Sequence, residues 1–433
     1  MKMSRTLSVI SLIPALCLGL STLLLRGQEF TPNFDESKVP AYTLPNPLLC
    51  LDGTRVSGST QWFEKRRPEI MGLFQEQVYG KSPGKPGKAT YASLDSSLAL
   101  EGTAIRKQVE LTLQQGGKEI TIGLLLYLPS GRSGPVPAFL GLNFGGNHSI
   151  CSDPGIILNT NWMRPNEKNG IVNNQATEAS RGSASSRWDI PAILGRGYAL
   201  ATAYYGDIDP DFDDGFRNGV HPLFYKAGQI KPAADEWGSI GAWAWGLSRI
   251  LDYLETDSQI DARRVIVMGH SRLGKTALWA GAQDERFAMV VSNNSGCGGA
   301  TLSMRCFGET VGAINTSFPH WFCANFRQYN EHEERLPVDQ HMLLALIAPR
   351  PVYVASAEED RWADPRGEYL SLKGAEPVYR LLGAEGLAGE EMPAVDQPLN
   401  GRLGYHIRSG GHAVTPYDWK QYLAWADLYL PKR

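Results

Sequence analysis

Short apolar stretches bounded by Gly, Pro, Asn and Asp alternate along this chain with longer stretches whose apolar residues return at helical spacing. The short ones read as strands: 109–113 and 120–128, flanking Gln115-Gly116-Gly117-Lys118 as a hairpin, then 136–143, 198–205, 265–268, 287–291, 352–355 and 405–408. The stretch 136–143 is apolar almost throughout and closes in Phe144-Gly145-Gly146-Asn147, as a strand buried on both faces would. Helices are expected over 61–79, 235–256, 275–282 and 419–430. In 235–256, Trp237, Ile240, Ala244, Leu247, Leu251 and Leu254 share a face, and Asp235 stands where the helix should start. Strands alternating with helices predict an α/β class: a three-layer sandwich around a mainly parallel sheet. Residues 151–187 are rich in Asn, Ser and Gly and too long for a simple connection, so an insertion over the site is expected there.

The beginning of the chain has a different pattern. Lys2 and Arg5 precede an apolar stretch over 7–25, interrupted by small polar residues and Pro14. That is the basic-then-apolar order of an export signal, taken as 1–27 with cleavage near Gly27. The stretch is also as long as a membrane span, so an uncleaved anchor is the alternative. Residues 28–47 read as an extended, Pro-rich lead, and 48–433 as one globular domain. Dividing 433 residues by a domain of about 150 gives two or three, yet α/β enzymes often run longer as one. A hydrophobic share of 42% and 11 Trp suffice for one large core.

Export permits disulfides, and beyond Cys17 the chain carries Cys50, Cys151, Cys297, Cys306 and Cys323. Five allow at most two bridges, with the trio 297, 306 and 323 able to supply one, and buried free thiols serve equally well. Their spacing matches no zinc pattern, and no metal or cofactor is expected. A net charge of −3 without a basic run past the N-terminus argues against nucleic acid as a partner.

The candidate chemistry centres on Gly269-His270-Ser271-Arg272-Leu273-Gly274-Lys275. A strand that turns into a helix through Gly-x-Ser lifts the serine hydroxyl to the top of the sheet, beside the free amides of the helix N-terminus. The second glycine of the usual G-x-S-x-G arrives one position late, at Gly274. Downstream come Glu358-Glu359-Asp360 after one strand and Ser409-Gly410-Gly411-His412 after the next. Serine, acid and histidine in that order, each past a strand end, follow the α/β-hydrolases. The residue types fit the task, because an imidazole must take the serine proton and a carboxylate must orient the imidazole.

Residues 265–326 resemble the glucuronoyl esterases of carbohydrate esterase family 15, bacterial type. The resemblance rests on Gly-His-Ser-Arg-Leu-Gly-Lys at 269–275, Ser-Asn-Asn-Ser-Gly-Cys-Gly-Gly at 292–299, Phe-Gly-Glu-Thr at 307–310 and Phe-Pro-His-Trp-Phe at 318–322. Glu-Asp-Arg-Trp-Ala-Asp-Pro at 359–365, Gly-Gly-His at 410–412 and an upstream helix at 62–70 extend it over nearly the whole mature chain. It implies an α/β-hydrolase fold and a secreted or periplasmic serine esterase, monomeric, acting on glucuronic acid esters of glucuronoxylan and lignin. Ser271, His412 and an acid would form the triad. Arg272 would stabilise the oxyanion, Lys275 and Glu309 would bind the uronate hydroxyls, and Trp362 would flank the sugar ring. Fungal members especially carry a Glu just past the strand after the elbow. Here Ser292-Asn293-Asn294-Ser295 holds no carboxylate, so the duty passes to Asp360, with Glu359 next and Glu358 and Asp364 behind.

The residues themselves leave other readings open. Arg272 and Lys275 could be solvated helix residues, Glu309 a surface acid, Trp362 plain core, and His270 and His320 structural. Gly145-Gly146 could form an oxyanion loop or only permit a turn. The Asp-rich run 207–214 lacks the glutamate of a calcium loop and reads as a solvated turn. At the level of function, an acetyl xylan esterase and a catalytically silent carbohydrate-binding hydrolase fold are the alternatives.

Overall fold

Among the described residues, nine strands form one sheet whose carboxyl ends carry most of the candidate residues. The computed structural model describes residues 30–430, so the export segment lies outside the described residues. In chain order the elements begin with α1 (Ser59–Gln61), which runs through a π-helical stretch into α2 (Arg67–Gln77). Strands β1 (Lys88–Ala99), β2 (Ala104–Gln115), β3 (Lys118–Pro129) and β4 (Val136–Asn143) follow. The inserted region holds only short turns and the small hairpin β5 (Ile171–Val172) and β6 (Gln175–Ala176). After it come α3 (Ile190–Gly195), β7 (Ala199–Tyr204), α4 (Ser239–Leu254), β8 (Ile260–His270), α5 (Arg272–Gln283), β9 (Met289–Asn293), α6 (Val311–Ser317) and α7 (Gln340–Ile347). The chain closes with β10 (Val352–Ala357), α8 (Pro365–Leu381), β11 (Leu403–Arg408) and α9 (Pro416–Tyr429).

The strand order is β1-β2-β3-β7-β4-β8-β9-β10-β11, antiparallel from β1 to β7 and parallel from β7 to β11. Parallel strands covered on both faces need apolar residues on both, and β4, β10 and β11 are buried at every position. The two-residue period then divides each strand between two cores. On β8, Val265 and Val267 pack with Trp243, Trp279 and Leu344 on one face, while Ile266 and Met268 pack with Ile193, Trp419 and Trp425 on the other. This is the three-layer α/β sandwich expected from the pattern.

One boundary shifts. The helix predicted from 235 starts at Ser239, because Lys81 takes the Asp235 carbonyl at 2.8 Å and its carboxylate at 2.9 Å. The first amides of α4 are instead capped by the carbonyls of His320 (2.8 Å) and Trp321 (3.1 Å), which fixes that segment beside the site. From Pro32 on, the extended lead is tied to the domain. Gly308 donates to the Asn33 carbonyl at 2.8 Å, and Glu36 pairs with Arg305 at 2.6 Å. Arg305 in turn pairs with Asp364, which caps α8 through Gly367, in a buried contact of 2.7 Å. The five cysteines among the described residues are all free thiols, so the bridge considered for 297, 306 and 323 is absent.

Candidate active site

Open parallel sheets bind ligands at the carboxyl ends of their strands, where the order reverses. Here β4 is followed outward by β7, and β8 returns to the other side of β4. Asn143 ends β4, Tyr205 follows β7, Ser271 follows β8, Asn294 follows β9, Asp360 lies just past β10, and His412 lies past β11. A cleft of about 510 Å³ opens at this end, bordered by Ser271, Arg272, His412, Phe144, Gly145 and residues of the insertion. A larger hollow of about 850 Å³ around residues 129–137 and 260–264 holds none of the candidate residues, and chemistry rather than size identifies the site.

Ser271 occupies the turn with φ 59° and ψ −130°, a conformation that a non-glycine residue adopts only when its surroundings impose it. They do so tightly. A Cβ at Gly269 would collide with the Leu273 carbonyl, and one at Gly274 would come within 3.0 Å of Ser295. The late glycine thus lets α5 pack against the turn after β9. Ser271 heads α5, so the first amides of that helix lack intrahelical partners and face the end where the serine sits.

His412 is half exposed and donates from Nδ1 to Asp360 Oδ2 at 2.6 Å, the tautomer that leaves Nε2 as an acceptor. Asp360 is buried and takes a second hydrogen bond, 2.8 Å, from Asn294 Nδ2. Of the acids considered, Asp360 is thus the one joined to His412. Glu358 and Glu359 are exposed, and Asp364 is spent on Arg305 and the α8 cap. Asn294 lies just past the strand after the elbow, and it reaches Asp360 as an amide.

Arg272 is not a solvated helix residue. Its Nη1 bonds Asp211, and its guanidinium carbon lies 4.6 Å from the Trp321 ring centre and 5.4 Å from Phe318. Its Nε is buried with no hydrogen-bond partner among the described residues, and the residue borders the cleft. Asp211 itself accepts from His320 Nε2 (2.9 Å), Trp321 Nε1 (2.8 Å) and Tyr205 Oη (2.9 Å). Burial pushes its pKa up, but the His320 bond and the Arg272 charge outweigh this and hold it well below the usual carboxylate range.

The solvated-turn reading of 207–214 therefore fails at its centre. Asp207, Asp209 and Asp211 are all buried, holding Asn159 and Asn161, His221, and Arg272 respectively. Among the described residues no cluster of His, Cys, Asp and Glu could hold a metal ion.

Lys275, one helical turn past Ser271, is buried and faces Glu309 at 3.8 Å while donating to the Ser295 carbonyl at 2.5 Å. Glu309 is no surface acid. Burial raises its pKa, Lys275 opposes the rise, and a hydrogen bond with the Trp362 side chain opposes it further. Trp362 is 42% exposed, so its ring is available rather than packed in the core. His270 is buried, bonds Asn293 at 2.7 Å and lies 4.5 Å from the His412 ring. Burial and the nearby His412 and Arg187 charges push its pKa well below the ordinary histidine value, which keeps it neutral beside the site.

This arrangement sets a serine, an imidazole oriented by a carboxylate and a guanidinium donor around one cleft, with a buried ion pair beside it. Known proteins share the fold and much of the sequence. Residues 217–383 match the family model for glucuronyl esterase, fungi. The chain is 51% identical to the carbohydrate esterase MZ0003 of an unidentified prokaryote over 92% of both chains. The chain belongs to the glucuronoyl esterases of carbohydrate esterase family 15. A promiscuous CE15 esterase from a marine bacterial metagenome superposes with a TM-score of 0.87 at 51% identity, over 92% of this chain and 100% of that one. The glucuronoyl esterase from Solibacter usitatus does so at 0.85 and 48%, over 91% and 100%. This glucuronoyl esterase family member is accordingly a carboxylic ester hydrolase with an α/β-hydrolase fold.

Proposed function

We propose that this enzyme hydrolyses esters of (4-O-methyl-)glucuronic acid in glucuronoxylan, including those to lignin alcohols, through an acyl-enzyme on Ser271. The observation that carries the uronate assignment is the buried Lys275–Glu309 pair one helical turn from Ser271. Sugar hydroxyls both donate and accept, and a fixed ammonium beside a fixed carboxylate matches them. Trp362, bonded to Glu309 and partly exposed, offers a ring face to the sugar.

In the proposed mechanism, Ser271 Oγ attacks the ester carbonyl carbon while His412 Nε2 takes the serine proton. Asp360 holds the imidazole through Nδ1 and stabilises the imidazolium. The carbonyl oxygen, now carrying the charge, accepts from the Arg272 guanidinium and from the amides opening α5. Collapse breaks the bond to the alcohol oxygen, which leaves with the proton from His412. Water, deprotonated by the same imidazole, then releases the acid and restores Ser271. The proposed enzyme is exported, and among the described residues no helix is long and apolar enough to cross a membrane.

The test compares the purified mature chain on benzyl glucuronate and on acetylated xylan, then repeats benzyl glucuronate and nitrophenyl acetate with Lys275→Ala and Glu309→Ala. Benzyl glucuronate is expected to be cleaved well and acetyl esters poorly. A site built to pair hydroxyls loses discrimination when its donors go, so each variant should lose roughly 100-fold more kcat/KM on the glucuronate than on the acetate. Equal losses on both substrates would contradict the uronate assignment.

A further inference from the structure

The cleft that Ser271 and His412 border holds a cation that no carboxylate pairs among the described residues. Arg164, Arg187 and Arg272 line it, and no Asp or Glu does. Arg272 is bonded to Asp211, and Arg164 Nη2 donates to the Asp211 carbonyl at 3.1 Å. Arg187 differs. It is half-buried, and its guanidinium has neither a hydrogen bond nor an ion pair among the described residues. Its backbone is fixed all the same, donating to the Ala184 carbonyl at 3.0 Å and accepting from Trp419 Nε1 at 2.9 Å. Burial lowers its pKa with no carboxylate to oppose the effect, yet an arginine keeps its charge in proteins.

A desolvated charge without a partner is costly, and a planar guanidinium is completed best by a carboxylate that accepts two of its N–H bonds. The surroundings add a second requirement. The guanidinium carbon stands 5.7 Å from the centre of the Phe144 ring, and Trp188 borders the same cleft. Two aromatic walls beside a cation suit a flat ring that carries an anion.

We infer that Arg187, Phe144 and Trp188 form a subsite for an aromatic alcohol bearing a carboxylate, so that the preferred ester joins glucuronic acid to such an alcohol. The inference rests on the uronate reading above. With the sugar over Lys275, Glu309 and Trp362, none of which borders this cleft, the alcohol half of the ester enters it. His412, the proton donor to the departing alkoxide in that reading, stands on the same border.

Two measurements test it. The first compares the glucuronate esters of 4-(hydroxymethyl)benzoate and of its neutral amide, 4-(hydroxymethyl)benzamide. One charge-assisted contact predicts that the native enzyme favours the benzoate about tenfold in kcat/KM, and that Arg187→Gln brings the ratio to about one while Arg187→Lys keeps part of it. The second needs no uronate: the two free alcohols are compared as inhibitors of nitrophenyl acetate hydrolysis, with the benzoate expected to bind about tenfold tighter in the native enzyme and equally in Arg187→Gln. An enzyme that cleaves neither glucuronate but still prefers the benzoate as inhibitor would overturn the uronate reading and uphold the subsite. A native ratio of one in the inhibition assay, or a preference that survives Arg187→Gln, would overturn the subsite.

Discussion

Two buried aspartates stand behind the groups proposed to react, and their surroundings differ. Asp360 has two partners, the His412 imidazole and the Asn294 amide, and in the proposed mechanism it faces a group that gains and loses a proton. Asp211 has four side chains bonded to it, three of them neutral or titratable donors clamping it for Arg272, whose charge is permanent. A carboxylate serving a base must respond to a charge that comes and goes. One serving a guanidinium has only to hold it still. The heavy investment of hydrogen bonds in Asp211 buys geometry, and the sparse set at Asp360 leaves the imidazole room to act.

The largest effect that would sharpen this contrast belongs to Asp360. Asp360→Asn should lower kcat by about 10⁴-fold, since the amide favours the wrong imidazole tautomer, while Glu359→Gln changes little. If Glu359→Gln proves the damaging change, the acid lies one residue earlier. A smaller effect is expected on the other side. Arg272→Met should cost about 10²- to 10³-fold in turnover with a modest change in KM, because the charge it meets develops only in the transition state. Asp211→Asn should follow in the same direction by about tenfold, as the guanidinium keeps its donors and loses its anchor. A rise in KM alone in either variant would assign the pair to ground-state binding and break the comparison.

A third carboxylate bears on stability rather than turnover. Glu368, on α8, takes the Ser295 and Gly296 amides on Oε1 (2.8 and 3.0 Å) and meets Ser356 Oγ at 2.6 Å through Oε2. Burial pushes its pKa up to about 8, so at neutral pH the carboxyl keeps its proton. Above the unfolded value near 4.5 the unfolded chain has already lost this proton and the folded one has not, so stability falls as pH rises to about 8 and then levels. Glu368→Gln keeps the same hydrogen bonds and removes the titration. Denaturation from pH 5 to 8 should show the variant gaining on the native protein by up to about 1.4 kcal/mol per pH unit. Parallel curves would mean that Glu368 is ionised throughout.

The same contrast marks what the sequence made legible. The elbow, the strand ends and the order Ser271, Asp360, His412 could be read because apolar runs announce strands and the proposed catalytic residues sit just past them. The strand Val136–Asn143 coincides with its prediction, its residues being apolar enough to be buried on both faces. Strand β1 had no such signal: most of its residues face solvent on the outer edge of the sheet, and their polarity hides the period. The run at 207–214 misled for a related reason. Acidic residues in a Gly-Pro context suggest solvent, and only the fold reveals that Arg272, His221, Asn159 and Asn161 converge on them from distant positions. The same holds for Asn294 and Arg187, whose partners, or lack of them, are tertiary facts.

The most direct test of the account is Ser271→Ala assayed on benzyl glucuronate beside its circular dichroism. The account predicts a native spectrum and a rate lower by several orders of magnitude, roughly 10⁶-fold in kcat, with no glucuronoyl adduct detectable on the residue-271 peptide by mass. A variant with a native spectrum that retained most of its activity would contradict the serine mechanism outright.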